Sequence, residues 1–473
     1  MAQEQSPDRD DRVSELIEHH RRFEWAWWLV ILLGVWLLAT PLPFHADKLS
    51  VDPAGGRSVW LPMDVRAQVM AWSDGICGVL LVVLGWLMLK PDRHWARWAA
   101  CGLGIYLQAA PVLFWAPAAF LYINNTVVGM LVIALTVLIP GIPGNPLMRK
   151  DSPDVPPGWS YNPSSWPQRA PLIGLAFAGL LVSRYLAAYQ LGYLKSVWDP
   201  FFGEGTRKVL LSDISESFPV SDGALGALSY TIEFLVGWMG CRARWRTSPS
   251  TVVVFGIVVV PLGLTHILLV IAQPVFVGYW CTWCLLAALL MLPMVPLALD
   301  EVVAMCQFLY KAVKQEGKPF WRTFWKGDTI EGGAIDDRSP DPATLPSQPG
   351  EVLRAGVWGV SLPWTLLVVS ALGVWLLFAP AALGSEGIAS DNDRIVGALL
   401  LTIAVLAMAE VARTARFLLA LPALWMLAAP WILSGANTAT TINSLVVGLA
   451  ILALCLPRGP IHQSYGTWDR YIL

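Results

Sequence analysis

Residues 24–41 read EWAWWLVILLGVWLLATP, with one acid at the start and no other charge. A helix of about 20 mainly apolar residues crosses the hydrocarbon core of a bilayer, so this stretch is expected to span a membrane. Comparable stretches recur along the chain as far as Leu456. Of 473 residues, 56% are hydrophobic and 14% charged, with mean hydropathy +0.55. Soluble domains carry about a quarter charged residues. The expected fold class is an all-α integral membrane protein, and a soluble enzyme is excluded. Trp25, Trp27, Trp28, Trp280, Trp283 and Trp431 lie near the ends of apolar stretches, where amphipathic rings favour the membrane interface. A net charge of −2 argues against a nucleic-acid partner.

Twelve spans are expected, at 24–41, 70–90, 95–114, 121–139, 169–193, 221–240, 251–272, 276–298, 358–381, 393–412, 414–432 and 437–456. Basic residues alternate between the resulting loops. Lys90, Arg93 and Arg97 fall on one side, and so do Arg242, Arg244 and Arg246, while the short loops that follow carry none. The positive-inside rule then puts both termini in the cytoplasm. The first 23 residues are polar and charged, so no cleavable signal is expected and the first span directs insertion.

The chain repeats itself. Residues 34–41, GVWLLATP, return as GVWLLFAP at 373–380. Cys77-Gly78 then faces Val396-Gly397, Arg97 faces Arg416, Pro111 faces Pro430, Asn124 faces Asn443, and Val127-Val128-Gly129 faces Val446-Val447-Gly448. Two four-span units (24–140 and 358–457) therefore flank a different four-span block (169–298). A cytoplasmic tail precedes them at 1–23 and another follows at 458–473. Residues 141–168 form a Pro-rich cytoplasmic linker. Residues 299–357 hold a cytoplasmic amphipathic helix, at 300–315, and a Gly-, Pro-, Ser- and Asp-rich segment, 327–352, expected to be disordered. The flanking units resemble the bacterial SPW-repeat family, named for a Ser-Pro-Trp helix end, with the triplet here Ala429-Pro430-Trp431 and Ala110-Pro111-Val112. Helix kinks and close packing would by themselves explain the shared Pro and Gly residues.

Among seven cysteines, Cys281-Thr282-Trp283-Cys284 stands apart. Two thiols three positions apart at a helix start share a face and can close a disulfide, and the helix N-terminus favours the thiolate. The expected topology puts the pair at the outer end of the eighth span. Two cysteines with no neighbouring His do not make a zinc site, so no metal is expected.

The middle block resembles the vitamin K epoxide reductase family. Thr206-Arg-Lys-Val-Leu-Leu-Ser212 is similar to its loop segment, Ser221-Asp222-Gly-Ala-Leu-Gly226-Ala-Leu-Ser-Tyr230 to its second-span start, and Gly278-Tyr-Trp-Cys281-Thr-Trp-Cys284 to its active-site entry. The resemblance implies a four-helix bundle in which Cys281 and Cys284 are catalytic and exchange electrons with a diffusible quinone, ubiquinone or menaquinone. It implies a bacterial inner-membrane protein, with membrane lipid and an external thioredoxin-like or small-molecule dithiol as further partners. The family's second pair of loop cysteines, which relays electrons, would fall at or near Trp198 and Thr206, and residues 194–222 hold no cysteine. The family's quinone-facing Asn corresponds to Asp222, and its Tyr to Ala288.

Arg184, Glu233 and His266 fall inside expected spans of this block. Such residues usually face a cavity or one another. An Arg184–Glu233 pair near His266 would line a quinone pocket with Asp222, Tyr230 and Trp283, or would simply lock three helices. Asp222 is also suited to N-cap its helix. Three readings follow: a thiol–quinone oxidoreductase, with Cys281 facing the partner and Cys284 the quinone; a non-redox scaffold or binding protein; and a transporter. The unrelated middle block disfavours the last.

Overall fold

A helix occupies each of the twelve expected spans in a computed structural model, which describes residues 17–40, 50–141 and 153–472. The first repeat contributes Glu24–Ala39, Met63–Met88, His94–Leu113 and Ala119–Ile133, and the middle block Trp166–Gln190, Asp222–Trp238, Pro249–Ala272 and Thr282–Tyr310. The second repeat contributes Trp364–Leu383, Gly387–Met408, Ala420–Ile432 and Thr438–Leu454. Among the described residues, β pairing is limited to three isolated bridges. Expectations for 1–16, 41–49 and 142–152 lie outside the described residues.

The protein is an all-α membrane protein. Among the described residues, six helices are long and apolar enough to cross a bilayer alone, namely Met63–Met88, Ala119–Leu138, Trp166–Gln190, Thr282–Gln315, Trp364–Leu383 and Glu410–Ile432. Glu24–Ala39, Gly263–Val277 and Thr438–Leu454 are apolar but shorter. Polar insertions set the others apart: Arg97 and Gln108 in His94–Leu113, Glu233 in the 17-residue Asp222–Trp238, and Asp391, Asp393 and Arg394 in Gly387–Met408.

The chain divides into two compact units. One holds the first repeat with Arg184–Ser196 and Phe218–Gly240, and the other holds the rest of the middle block and the second repeat. The middle block thus contributes to both units.

Within each unit the repeat is built the same way. A Cβ on Gly34 would lie 2.7 Å from the Gly78 carbonyl oxygen, and one on Gly373 2.8 Å from that of Gly397. Small residues let these backbones touch, and packing then holds the pair in lipid. Trp36 Nε1 donates to Asn124 Oδ1 at 2.8 Å, and Trp375 Nε1 to Asn443 Oδ1 at 2.9 Å. Two of the sequence matches thereby become one repeated interhelical bond.

Helix Thr282–Tyr310 runs unbroken from the cysteines into the expected amphipathic segment and continues as a π turn, Lys311–Gln315. Near its far end, Glu301 accepts from Arg244 Nε and Nη2 at 2.6 Å each, and from Ser164. Tyr161 donates to Asp300, and Glu410 accepts from Tyr465 at 2.9 Å. Trp159, Tyr161, Trp245, Phe308 and Tyr465 pack around this buried polar knot.

The segment expected to be disordered is ordered. Ala334 bridges to Val155, Arg242 pairs with Asp336 at 3.0 Å, and Arg338 donates to Ser160 O and Gln463 Oε1, each at 2.8 Å. Burial opposes ionisation of Asp336, yet hydrogen bonds from Ser339 and the Arg242 pair hold its carboxyl below the usual carboxylate range. Polar partners fix what the composition, poor in apolar residues, gave no sign of fixing.

Candidate functional site

The cysteine pair is set by a turn and a cap. Gly278, at φ 74°, ends the π turn Gln273–Val277 and reverses the chain, a conformation glycine adopts without cost. Cys281 then N-caps helix Thr282–Tyr310: its Sγ accepts from the Cys284 backbone N–H at 3.1 Å. The Cys281 N–H donates to Gln273 Oε1 at 2.8 Å. A disulfide joins Cys281 to Cys284, with Cα atoms 5.3 Å apart. Cys77, Cys101, Cys241, Cys306 and Cys455 are free thiols.

A loop covers the pair. Asp199 Oδ1 accepts from the N–H groups of Phe201 and Phe202 at 3.1 and 2.8 Å, and Oδ2 from the Thr206 N–H and hydroxyl at 2.9 and 2.6 Å. The Thr282 hydroxyl donates to Oδ1 at 2.5 Å. One carboxylate thus fastens its own loop and binds it to the residue between the cysteines. Burial works against the charge, but hydrogen bonds from Thr206, Thr282, Phe202 and Phe201 outweigh it and hold Asp199 well below the usual carboxylate range. Trp283 Nε1 adds a bond of 2.7 Å to the Trp198 carbonyl. A Cβ on Gly205 would lie 2.1 Å from the Trp280 carbonyl oxygen, so only glycine permits this seat.

The result is unequal access to the two sulfurs. Cys281 is fully buried and Cys284 half-buried. Cys281, expected to face an incoming partner, is closed as the loop lies, so that role requires the loop to lift. Trp198, Phe201 and Phe276 stand exposed around the cap, a rim suited to the membrane interface.

The other expected site residues fall in both units. Trp283 and His266, half-buried on Pro249–Ala272, belong to the unit of the cysteines. Asp222, Tyr230, Arg184 and Glu233 belong to the other. The expected Arg184–Glu233 pair does not form: Arg184 lies over the Tyr122 ring, 5.0 Å from its centroid, and both Glu233 carboxylate oxygens are buried without a hydrogen bond among the described residues. Asp222 is not the N-cap. Ser221 is, its Oγ accepting from the Ala224 N–H at 3.0 Å, while Asp222 occupies the first helical position and accepts from Gln190. Tyr230 is fully buried. Asp199, Gln273 and Gly205 were missed. Asp199-Pro200 was a legible turn signal, since Asp before Pro starts turns and binds the backbone ahead of it.

Residues 170–299 match the vitamin K epoxide reductase family, cysteine pair included. The chain carries a vitamin K epoxide reductase family domain. Residues 363–457, the second repeat, match the SPW repeat domain. Comparison with curated proteins and with solved structures finds no match. The vitamin K epoxide reductase domain places the chain among membrane thiol oxidoreductases in general.

Proposed function

We propose that the protein is a thiol–quinone oxidoreductase of a bacterial inner membrane, with its termini in the cytoplasm and the cysteine pair at the outer face. The observation that carries this is the Cys281–Cys284 disulfide heading a helix long and apolar enough to cross the membrane. An external dithiol, thioredoxin-like or small, attacks Cys281 once the loop lifts. Cys284 leaves as a thiolate, and a second attack by the donor releases it as a disulfide. A membrane quinone would take the two electrons and two protons given up as Cys281 and Cys284 close again. Cys284, already half-buried while Cys281 is sealed, suits the quinone-proximal role.

Of the expected pocket residues, His266 and Trp283 are proposed as quinone contacts in the unit of the cysteines, and Asp222, Tyr230, Arg184 and Glu233 as polar ligand contacts within the other unit. Among the described residues the Glu233 carboxyl has no hydrogen-bond partner, which supports a polar ligand contact within its own unit. The cysteine-free loop favours a second reading, a bundle kept as a non-redox scaffold. Alkylation of membranes with and without quinone separates the two. A redox protein interconverts free and bonded thiols at Cys281 and Cys284 with the state of the quinone, and a scaffold leaves them fixed.

A further inference from the structure

Each repeat buries an acid inside a membrane helix. Asp74, on Met63–Met88, is 1% exposed, and Asp393, on Gly387–Met408, is 4% exposed. They are one position in two copies, related by the offset that relates Gly78 to Gly397. The same offset matches Pro111 to Pro430 on the third helix and Asn125 to Ser444 on the fourth. Among the described residues neither acid forms an ion pair. Arg394, beside Asp393 in sequence, is drawn to Asp391 at 3.4 Å and to the Pro274 carbonyl at 3.3 Å.

Two observations point to an occupant, one from each copy. In the first, the fully buried Asn125 amide lies within loose hydrogen-bonding reach of Asp74, yet among the described residues Asp74 Oδ1 and both Asn125 amide atoms lack a well-aligned hydrogen bond. In the second, Asp393, Pro430 and Ser444, with Asn392 and Thr440, line a cavity of about 10 Å³, a volume that suits one water molecule or one small ion. Each proline also lacks an N–H, which takes the helical partner from the Leu107 or Met426 carbonyl. Carboxylate and amide oxygens in the first copy, and carboxylate, amide and hydroxyl oxygens in the second, make a hard-oxygen donor set. A charge in a membrane helix without a partner is costly, so a cation in the cavity would complete the arrangement.

We propose that each repeat binds one small monovalent cation, a proton or a sodium-sized ion, on Asp74 in the first copy and on Asp393 in the second. The site is independent of the cysteines and of the redox reading. It gives the repeats a chemistry of their own beside their packing role.

Infrared difference spectra of the full-length protein in lipid, at neutral pH, test it against Asp74→Asn and Asp393→Asn. A protonated-carboxyl band in sodium-free choline buffer, lost in part in each variant, supports the site. If that band persists when sodium chloride replaces choline, the cation is a proton. If it fades, or if sodium raises the unfolding midpoint in the parent and not in the variants, it is sodium. Should the Asn variants misfold, Asn125→Ala and Ser444→Ala keep the acids and must shift the same band or raise the sodium needed. Two acids ionised in both buffers, with an unfolding midpoint indifferent to sodium, overturn the proposal.

Discussion

Asp199 accepts the hydroxyl proton of Thr282 at 2.5 Å, so the loop over the disulfide is fastened to the residue between its two cysteines. The loop does not rest on the site by shape alone. It is held by one carboxylate that can be removed without touching either sulfur.

Replacing that carboxylate should unseal the pair. A hydrogen bond to a charged group is worth about 1.5–3 kcal/mol, so Asp199→Ala is expected to speed reduction of Cys281–Cys284 by an added dithiol about tenfold or more. Timed alkylation and mass analysis read this directly. A rate equal to the parent's would mean that the loop does not gate access.

The latch should resist acid. Asp199 is held below the usual carboxylate range, so its stabilising effect is complete above the unfolded value of about 3.9. It is lost only as pH falls from there through the lower folded value. Hydrogen exchange at the Phe201 and Phe202 amides, corrected for intrinsic rate, should therefore show flat protection from about pH 8 to about pH 4. Loss of protection near neutrality would assign the latch to another group.

Gly205→Ala tests the seat separately. Its Cβ would meet backbone, the Trp280 carbonyl, which no rotamer change relieves. Overpacking of this kind costs about 1–3 kcal/mol, and Cys281 should become reducible at a rate near that of Asp199→Ala. At Gly203 a Cβ meets nothing within 4 Å, so Gly203→Ala strains only its positive φ and serves as the milder comparison.

Trapping of a partner should depend on the latch. Cys284→Ala removes the resolving thiol and leaves a mixed disulfide on Cys281, but Cys281 is sealed in the resting state. The double variant Asp199→Ala/Cys284→Ala should accumulate more adduct with a model dithiol than Cys284→Ala alone, on non-reducing gels. Equal yields would show that donors reach Cys281 by another route.

The polar knot makes a prediction about stability. Removing one partner of a buried ion pair costs about 3–5 kcal/mol, so Arg244→Met and Glu301→Met should each lower the unfolding midpoint sharply. Arg244→Met/Glu301→Met, which removes both charges, should recover much of the loss. A double variant as unstable as the sum of the two single losses would count against their pairing.

What could be read in advance followed from local pattern. Apolar stretches pointed to the membrane helices, six of which are long and apolar enough to cross a bilayer among the described residues, and the recurrence of GVWLL found the two repeats whose Gly34–Gly78 and Gly373–Gly397 contacts the structure supplies. The cysteine pair announced itself by spacing. What failed depended on partners distant in sequence. Arg184 was matched by charge to Glu233, but geometry gave it the ring of Tyr122, on a helix of the first repeat. Nothing near Asp336 foretold Arg242, and nothing near Thr282 foretold Asp199 from 83 residues upstream.

The glycine contacts of the repeats have an evolutionary side. What the two copies keep is a distance: two backbones brought together where Gly34 meets Gly78 and Gly373 meets Gly397. A separation written in the absence of side chains leaves the surrounding residues free to drift. The two copies accordingly differ where one reads Ala110-Pro111-Val112 and the other Ala429-Pro430-Trp431, while both keep the close glycine pair.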